Sequence, residues 1–211
     1  MNAKFVAIID YGLGNLFSVQ QACKAVGIRA IITASRDDIL RSAGVILTGV
    51  GAFGTAMEHL TEKGLVDVLR EYALSDKPLV GICLGMQILM TESFEFGRHA
   101  GLNIVPGTVM KLQTAPGVKV PHVGWNQIQA DKDIEWKGTL LDGLSNGAAM
   151  YFVHSYYVKL EKEDVVSSIT QYGPNKFCSS FQFDNILAFQ FHPECSGQYG
   201  LEIYRNLAKR I

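Results

Sequence analysis

The chain has 211 residues, with 19 Lys+Arg against 20 Asp+Glu and a formal charge of −1. Its 48% hydrophobic and 18% charged residues exclude a disordered or low-complexity chain. Near-neutrality with no Lys/Arg cluster removes the electrostatic footprint of a nucleic-acid binder or an anionic-membrane binder.

Residues 5–9 form an unbroken apolar run closed by Asp10-Tyr11-Gly12-Leu13-Gly14-Asn15, the pattern of a strand buried on both faces. It begins so near the start that no leader pattern precedes it, and a cytoplasmic protein is expected. Leu16, Val19, Cys23 and Val26 then recur at helical spacing, with Gly27 as the stop. Residues 28–33 and 44–48 predict the second and third strands, and Met57, Leu60, Leu65, Val68 and Leu69 mark helical segments around Gly64. Pro78 precedes a fourth strand over 79–83, and a helix is expected from there toward Met90. The apolar stretch 79–90 is broken by Gly81, Gly85 and Gln87 and falls short of the ~18 residues of a membrane span. Strand and helix in alternation predict a parallel sheet with right-handed crossovers.

Beyond Gly101 the pattern changes to short strands, predicted over 105–112, 118–123, 125–129, 150–153, 156–158, 165–171, 177–183 and 186–191. A C-terminal helix over 199–209 closes the chain. The expected fold is α/β: a single domain over residues 1–211, with a mixed, mostly parallel central sheet flanked by helices and an antiparallel elaboration in the second half. Cys23, Cys83, Cys178 and Cys195 form no C-x-x-C pair, so neither a disulfide framework nor a metal site is expected.

Three segments carry chemistry. Gly81-Ile82-Cys83-Leu84-Gly85 follows an apolar strand and opens a helix, as a nucleophile elbow does: the reactive side chain sits on a sharp turn that needs small neighbours. Taken alone, it is also compatible with a buried inert cysteine between packing glycines. Phe191-His192-Pro193-Glu194 ends a strand with an imidazole and sets a carboxylate two residues on; alone it is equally a surface turn, but with the elbow it completes a Cys–His–Glu set. Thr48-Gly49-Val50-Gly51-Ala52-Phe53-Gly54 can offer backbone N–H groups to an oxyanion or to a phosphate. It lacks the Lys-Ser/Thr of a P-loop, and Gly12-Leu13-Gly14 lacks the third glycine of a dinucleotide fingerprint, so no cofactor is expected.

These segments, together with Pro121-His122-Val123-Gly124-Trp125-Asn126 and Tyr151-Phe152-Val153-His154-Ser155-Tyr156, resemble the class I (triad-type) glutamine amidotransferase family, with its flavodoxin-like fold. The resemblance runs almost the whole chain and implies the following roles. Cys83 attacks the carboxamide of L-glutamine, His192 shuttles the proton and Glu194 orients it. Gly49, Val50, Gly51 and Leu84 supply oxyanion N–H groups. Gln87, Glu95, His154 and Ser155 line the substrate, and Asn15, Trp125 and Tyr151 face a partner. It further implies a branch in which a stand-alone glutaminase forms a heterodimer with a (β/α)₈ cyclase subunit of the HisF type in histidine biosynthesis. Ammonia delivery to an N-acetyl-sugar amidotransferase and a catalytically silent scaffold are the alternatives. Two positions depart from the family pattern: Thr48 replaces the usual proline before G-V-G, and Cys195 replaces the usual lysine after H-P-E.

Overall fold

The computed structural model describes residues 4–131 and 134–211. In chain order its first half comprises β1 (Val6–Ile9), α1 (Leu16–Ala25), β2 (Ala30–Thr33), α2 (Arg36–Arg41), β3 (Gly44–Gly49), α3 (Phe53–Glu62), α4 (Leu65–Ala73), β4 (Leu79–Cys83) and α5 (Leu84–Ile88). The second half comprises β5 (Glu92–Ser93), β6 (His99–Ala100), β7 (Gly107–Lys111), β8 (His122–Gln127), β9 (Gln129–Ala130), β10 (Ala149–His154), β11 (Tyr156–Leu160), β12 (Val166–Tyr172), β13 (Asn175–Phe183), β14 (Ile186–Phe189) and α6 (Gly197–Ala208).

The central sheet has eight strands in the order β2-β1-β3-β4-β14-β13-β12-β9. The run from β2 to β14 is parallel, and β13, β12 and β9 continue it antiparallel. Strand side chains alternate between faces, so β1 sends Ala7 and Ile9 into one core and Val6 and Ile8 into the other. The first core adds Leu47, Phe53, Leu60 and Tyr72, and the second adds Ile82, Phe152, Phe191 and Tyr204. A four-stranded sheet, β11-β7-β5-β6, and the β8·β10 pair complete the architecture. Among the described residues no helix is long and apolar enough to cross a membrane.

Differences from the sequence expectation have local causes. Helix α2 escapes the periodicity because it is one six-residue segment with a single buried apolar residue, Ile39; Ser35 starts it by accepting the Asp38 N–H. The helix after Cys83 stops at Ile88 rather than Met90, because the carbonyls of Ile88, Leu89 and Met90 accept N–H groups of residues 102–105 instead. Residues 118–123 do not form a separate strand. Val118 makes an isolated bridge to Ala115, and β8 begins at His122, after Pro121, which has no N–H to contribute to a ladder. The two-residue strands β5, β6 and β9 carry no readable period.

Candidate active site

Cys83 ends β4 and precedes α5, with φ 53° and ψ −110°, a backbone conformation that costs a non-glycine residue about 1–3 kcal/mol. The turn fits because its neighbours have no side chain. A Cβ on Gly81 would come within 2.8 Å of Leu89 Cδ1, and one on Gly85 within 1.8 Å of the Leu47 carbonyl oxygen. Gly49 lies directly across the ladder from Cys83, and a Cβ there would meet the Tyr11 hydroxyl at 1.9 Å. Val50 and Gly51 follow at the strand end, with Gly51 at φ 116° in open space. Leu84, the first residue of α5, has a main-chain N–H that the helix itself cannot satisfy.

The chain leaves β14 at Phe189, and His192 follows as the cap of a single 3-10 turn, Pro193–Cys195. His192 Nδ1 lies 2.8 Å from Glu194 Oε1, and both side chains are almost wholly buried. Its other nitrogen, Nε2, is buried without a hydrogen-bond partner among the described residues. Burial disfavours the imidazolium, but negative charge on neighbouring Cys83, together with the hydrogen-bonded Glu194 carboxylate, overrides it and pushes the pKa up to about 11. When protonated, the Cys83 thiol donates toward the Val153 carbonyl at 3.7 Å.

An open cleft of about 220 Å³ brings together Val50, Cys83, Leu84, Gln87, Glu95 and the residues 153–156. Gln87 is buried, and its Nε2 donates to Tyr156 O at 2.9 Å and to Gln190 Oε1 at 3.1 Å. Glu95 Oε2 accepts the Phe53 N–H at 2.6 Å. Desolvation raises the Glu95 pKa, while that N–H and nearby His99 pull it back. His154 Nδ1 donates to Tyr156 O at 2.8 Å, which makes its Nε2 the acceptor of the His122 Nδ1–H at 3.1 Å. His122 Nε2 then accepts from Asn126 Nδ2 at 3.3 Å. The His122 ring lies stacked between Phe152 and Tyr172.

The outer face of β8·β10 pairs Trp125 with Tyr151 and Val123 with Val153, and Trp125 is 59% exposed. Asn15 is exposed at the start of α1, where its Oδ1 accepts the Ser18 N–H at 3.2 Å. Thr48 is buried in β3 opposite Ile82, and Cys195 is an exposed thiol in the turn after Glu194.

The model of the class-I glutamine amidotransferase family matches residues 7–210. The chain belongs to the class-I glutamine amidotransferase family. Within it, the chain groups with HisH sequences. "Imidazole glycerol phosphate synthase subunit HisH" of Moorella thermoacetica is 46% identical over 206 residues, covering 98% of this chain and 95% of that one. The protein of the same name from Aquifex aeolicus is 46% identical over 204 residues, covering 96% and 95%. Solved structures at low identity share the fold. A glutamine amidotransferase crystal structure matches with TM-score 0.74 at 18% identity over 97% of both chains, and PurLQS of Thermotoga maritima with 0.71 at 13% over 98% of both.

The sequence assigns no role to three residues of this amidotransferase site, although Tyr11 and His122 lie within segments that mark it. Gln190, at the end of the β14 segment, reaches Cys83; Tyr11 packs under Gly49; His122 donates to His154 Nε2. Each lies far along the chain from the side chain it touches, and only long-range pairing brings them together. The histidine pair has a consequence for stability. Burial lowers the pKa of His122 to about 4 and that of His154 to about 3. As pH falls from about 6.5 to about 4, the unfolded chain takes up protons that the folded one refuses, so stability is lost over that window. His192 contributes no slope there, because its raised pKa keeps it protonated in both states until the unfolded value is passed. His122→Gln should flatten the fall of melting temperature below pH 6.5; an unchanged slope would exclude the pair as its source.

Proposed function

We propose that this chain is the glutaminase subunit of imidazole glycerol phosphate synthase, a cytoplasmic enzyme of histidine biosynthesis. It hydrolyses L-glutamine to glutamate and ammonia and passes the ammonia to a (β/α)₈ cyclase subunit of the HisF type. That subunit forms imidazole glycerol phosphate and the aminoimidazole carboxamide ribonucleotide. The observation that carries this reading is the buried His192–Glu194 pair beside Cys83 at the mouth of a cleft, in a chain 46% identical to HisH subunits along nearly its full length. Neither a sugar acceptor nor a silent scaffold is favoured, since the similar chains carry the synthase-subunit name and all three reactive side chains are present.

In this reading the proton of the Cys83–His192 pair is held on His192 Nε2, and the sulfur, as a thiolate, attacks the carboxamide carbon of glutamine. The carbonyl oxygen takes the negative charge and is met by N–H groups of Leu84 and of the Gly49-Val50-Gly51 segment. Collapse of the adduct expels ammonia, which takes the proton from His192, and leaves a γ-glutamyl thioester on Cys83. Water, deprotonated by His192, then releases glutamate and the thiol. Glu194 holds the ring by Nδ1, which leaves Nε2 free for proton transfer.

Recognition of the α-ammonium follows from hydrogen-bond polarity. Gln87 uses both N–H groups within the protein, and only its carbonyl oxygen remains. Glu95 uses one carboxylate oxygen on Phe53 and keeps the other. Both are acceptors, which suits an ammonium and rejects a carboxylate. The Ser155 hydroxyl, in the lining of the cleft, is a donor available to the α-carboxylate.

The deciding experiment is glutamate release from glutamine by the purified chain, alone and mixed with the histidine-pathway cyclase and its nucleotide. A large rise only in the full mixture supports the proposal; no rise, with Cys83 still alkylated by a glutamine analogue, assigns the ammonia to another acceptor. Docking is tested by Trp125→Ala. The side chain is largely exposed, so stability should change by less than about 0.5 kcal/mol, while affinity for the cyclase falls by more than about tenfold. Undiminished affinity in calorimetry would remove Trp125 from the interface.

A further inference from the structure

The main-chain oxygen of Tyr156 can only accept, and this sets the direction of a hydrogen-bond chain that ends at the Cys83 sulfur. Gln87 Nε2 donates to that oxygen at 2.9 Å, which places the Gln87 amide nitrogen without ambiguity. The second N–H of Gln87 donates to Gln190 Oε1 at 3.1 Å. A flipped Gln190 would set two NH₂ groups against each other at that distance. Gln190 therefore presents its own nitrogen on the far side, where Nε2 lies 3.8 Å from Cys83 Sγ. Gln190 is fully buried, and its backbone N–H is tied to Ser179 O at 2.9 Å, so neither its amide nor its main chain is free to turn away.

We infer that Gln190 is a positioning residue for Cys83: its amide N–H is held as a donor to the sulfur, favours the ionised form and sets the direction of attack. This rests on the reading of Cys83 as the nucleophile. Besides His192, the sulfur has the Val153 carbonyl nearby, which accepts an S–H proton and offers nothing to an anion. With the proton on His192 Nε2, that contact has no attraction, and the Gln190 donor is strengthened because its acceptor carries charge. Gln190 thus acts on the chemical step, whereas glutamine is gripped by other groups in the cleft.

Two variants separate this role from packing. Gln190→Glu keeps the shape and the oxygen that Gln87 meets, but puts an oxygen in place of the N–H. Gln190→Leu removes the polar group. Each is assayed in the complex with the cyclase for glutamine hydrolysis, and for the rate of Cys83 alkylation by iodoacetamide against pH. Both should lower kcat by about 10- to 100-fold with KM within about threefold, and both should move the alkylation profile to higher pH. The Glu variant should be the worse of the two at high pH, where it is a carboxylate. Packing alone predicts the reverse ranking, since Glu is the isostere, and that ranking, or an unmoved alkylation profile, overturns the proposal. If neither variant folds, the Gln190 side-chain amide resonances of the unmodified protein are followed against pH. They should shift as Cys83 ionises and stay constant in Cys83→Ala; resonances indifferent to pH in the unmodified protein overturn the proposal. Glutamine hydrolysis surviving in Cys83→Ala would instead overturn the nucleophile reading itself.

Discussion

Replacing Cys83 by alanine is expected to lower glutamine hydrolysis by roughly 10⁴- to 10⁶-fold, while synthesis driven by added ammonium salt in the complex with the cyclase continues. Two features make the separation clean. Alanine keeps the Cβ and therefore the strained backbone at φ 53°, so the turn that carries Leu84 and faces Gly49 stays in place. Besides its interaction with His192, the sulfur makes two long contacts among the described residues, to Val153 O at 3.7 Å and to Gln190 Nε2 at 3.8 Å. His192 should respond as well. Its pKa is held up chiefly by charge on Cys83, so removing the sulfur should bring it down from about 11, as read by the imidazole resonances. Loss of the ammonium-driven reaction together with the glutamine-driven one would make Cys83 a structural residue.

Gly85→Ala is expected to be the most damaging single methyl group in the elbow. The new Cβ would sit 1.8 Å from Leu47 O and 2.6 Å from the carbonyl carbon, atoms of β3 that are bonded on both sides by β1 and β4. Neither neighbour can yield as a flexible side chain would, and α5 must move off the sheet. A cost of about 3 kcal/mol or more follows, or roughly 6–12 °C in melting temperature. Glutamine hydrolysis should fall with it, because α5 carries both Leu84 and Gln87. Gly27→Ala is the comparison: φ is 81° but nothing lies within 4 Å, so only the left-handed strain of about 1–2 kcal/mol applies. Equal melting temperatures for the two variants would show that the β3–α5 contact is looser than the geometry implies.

Much of the site is legible because its residues work in local pairs. Cys83 and its flanking glycines declare a sharp strand-to-helix turn within five residues, and His192 and Glu194 stand two apart on either side of a proline. The Gly49-Val50-Gly51 segment is visible for the same reason: glycine marks close backbone approach, here to Tyr11 and to the ladder with Cys83. The fold is legible where strands are buried on both faces. Thus 79–83 and 44–48 match β4 and β3 to within a residue, whereas two-residue strands and the single-apolar helix α2 leave no period to read.

Chemistry concentrated within a few neighbouring residues, and burial repeated at a fixed period, are properties of the chain alone. Together they establish the alternating α/β framework and the family to which its reactive residues belong. The remainder depends on contacts between residues far apart in sequence. Gln87 is given its polarity by Tyr156, 69 positions away, and Gln190 is aimed at Cys83 from 107 positions away. His154 owes its tautomer to the Tyr156 carbonyl two residues on and its buried neutrality to packing against β8 and β13. A side-chain amide or imidazole has no fixed direction until a partner of fixed hydrogen-bonding character is brought against it, and only the folded sheet supplies that partner.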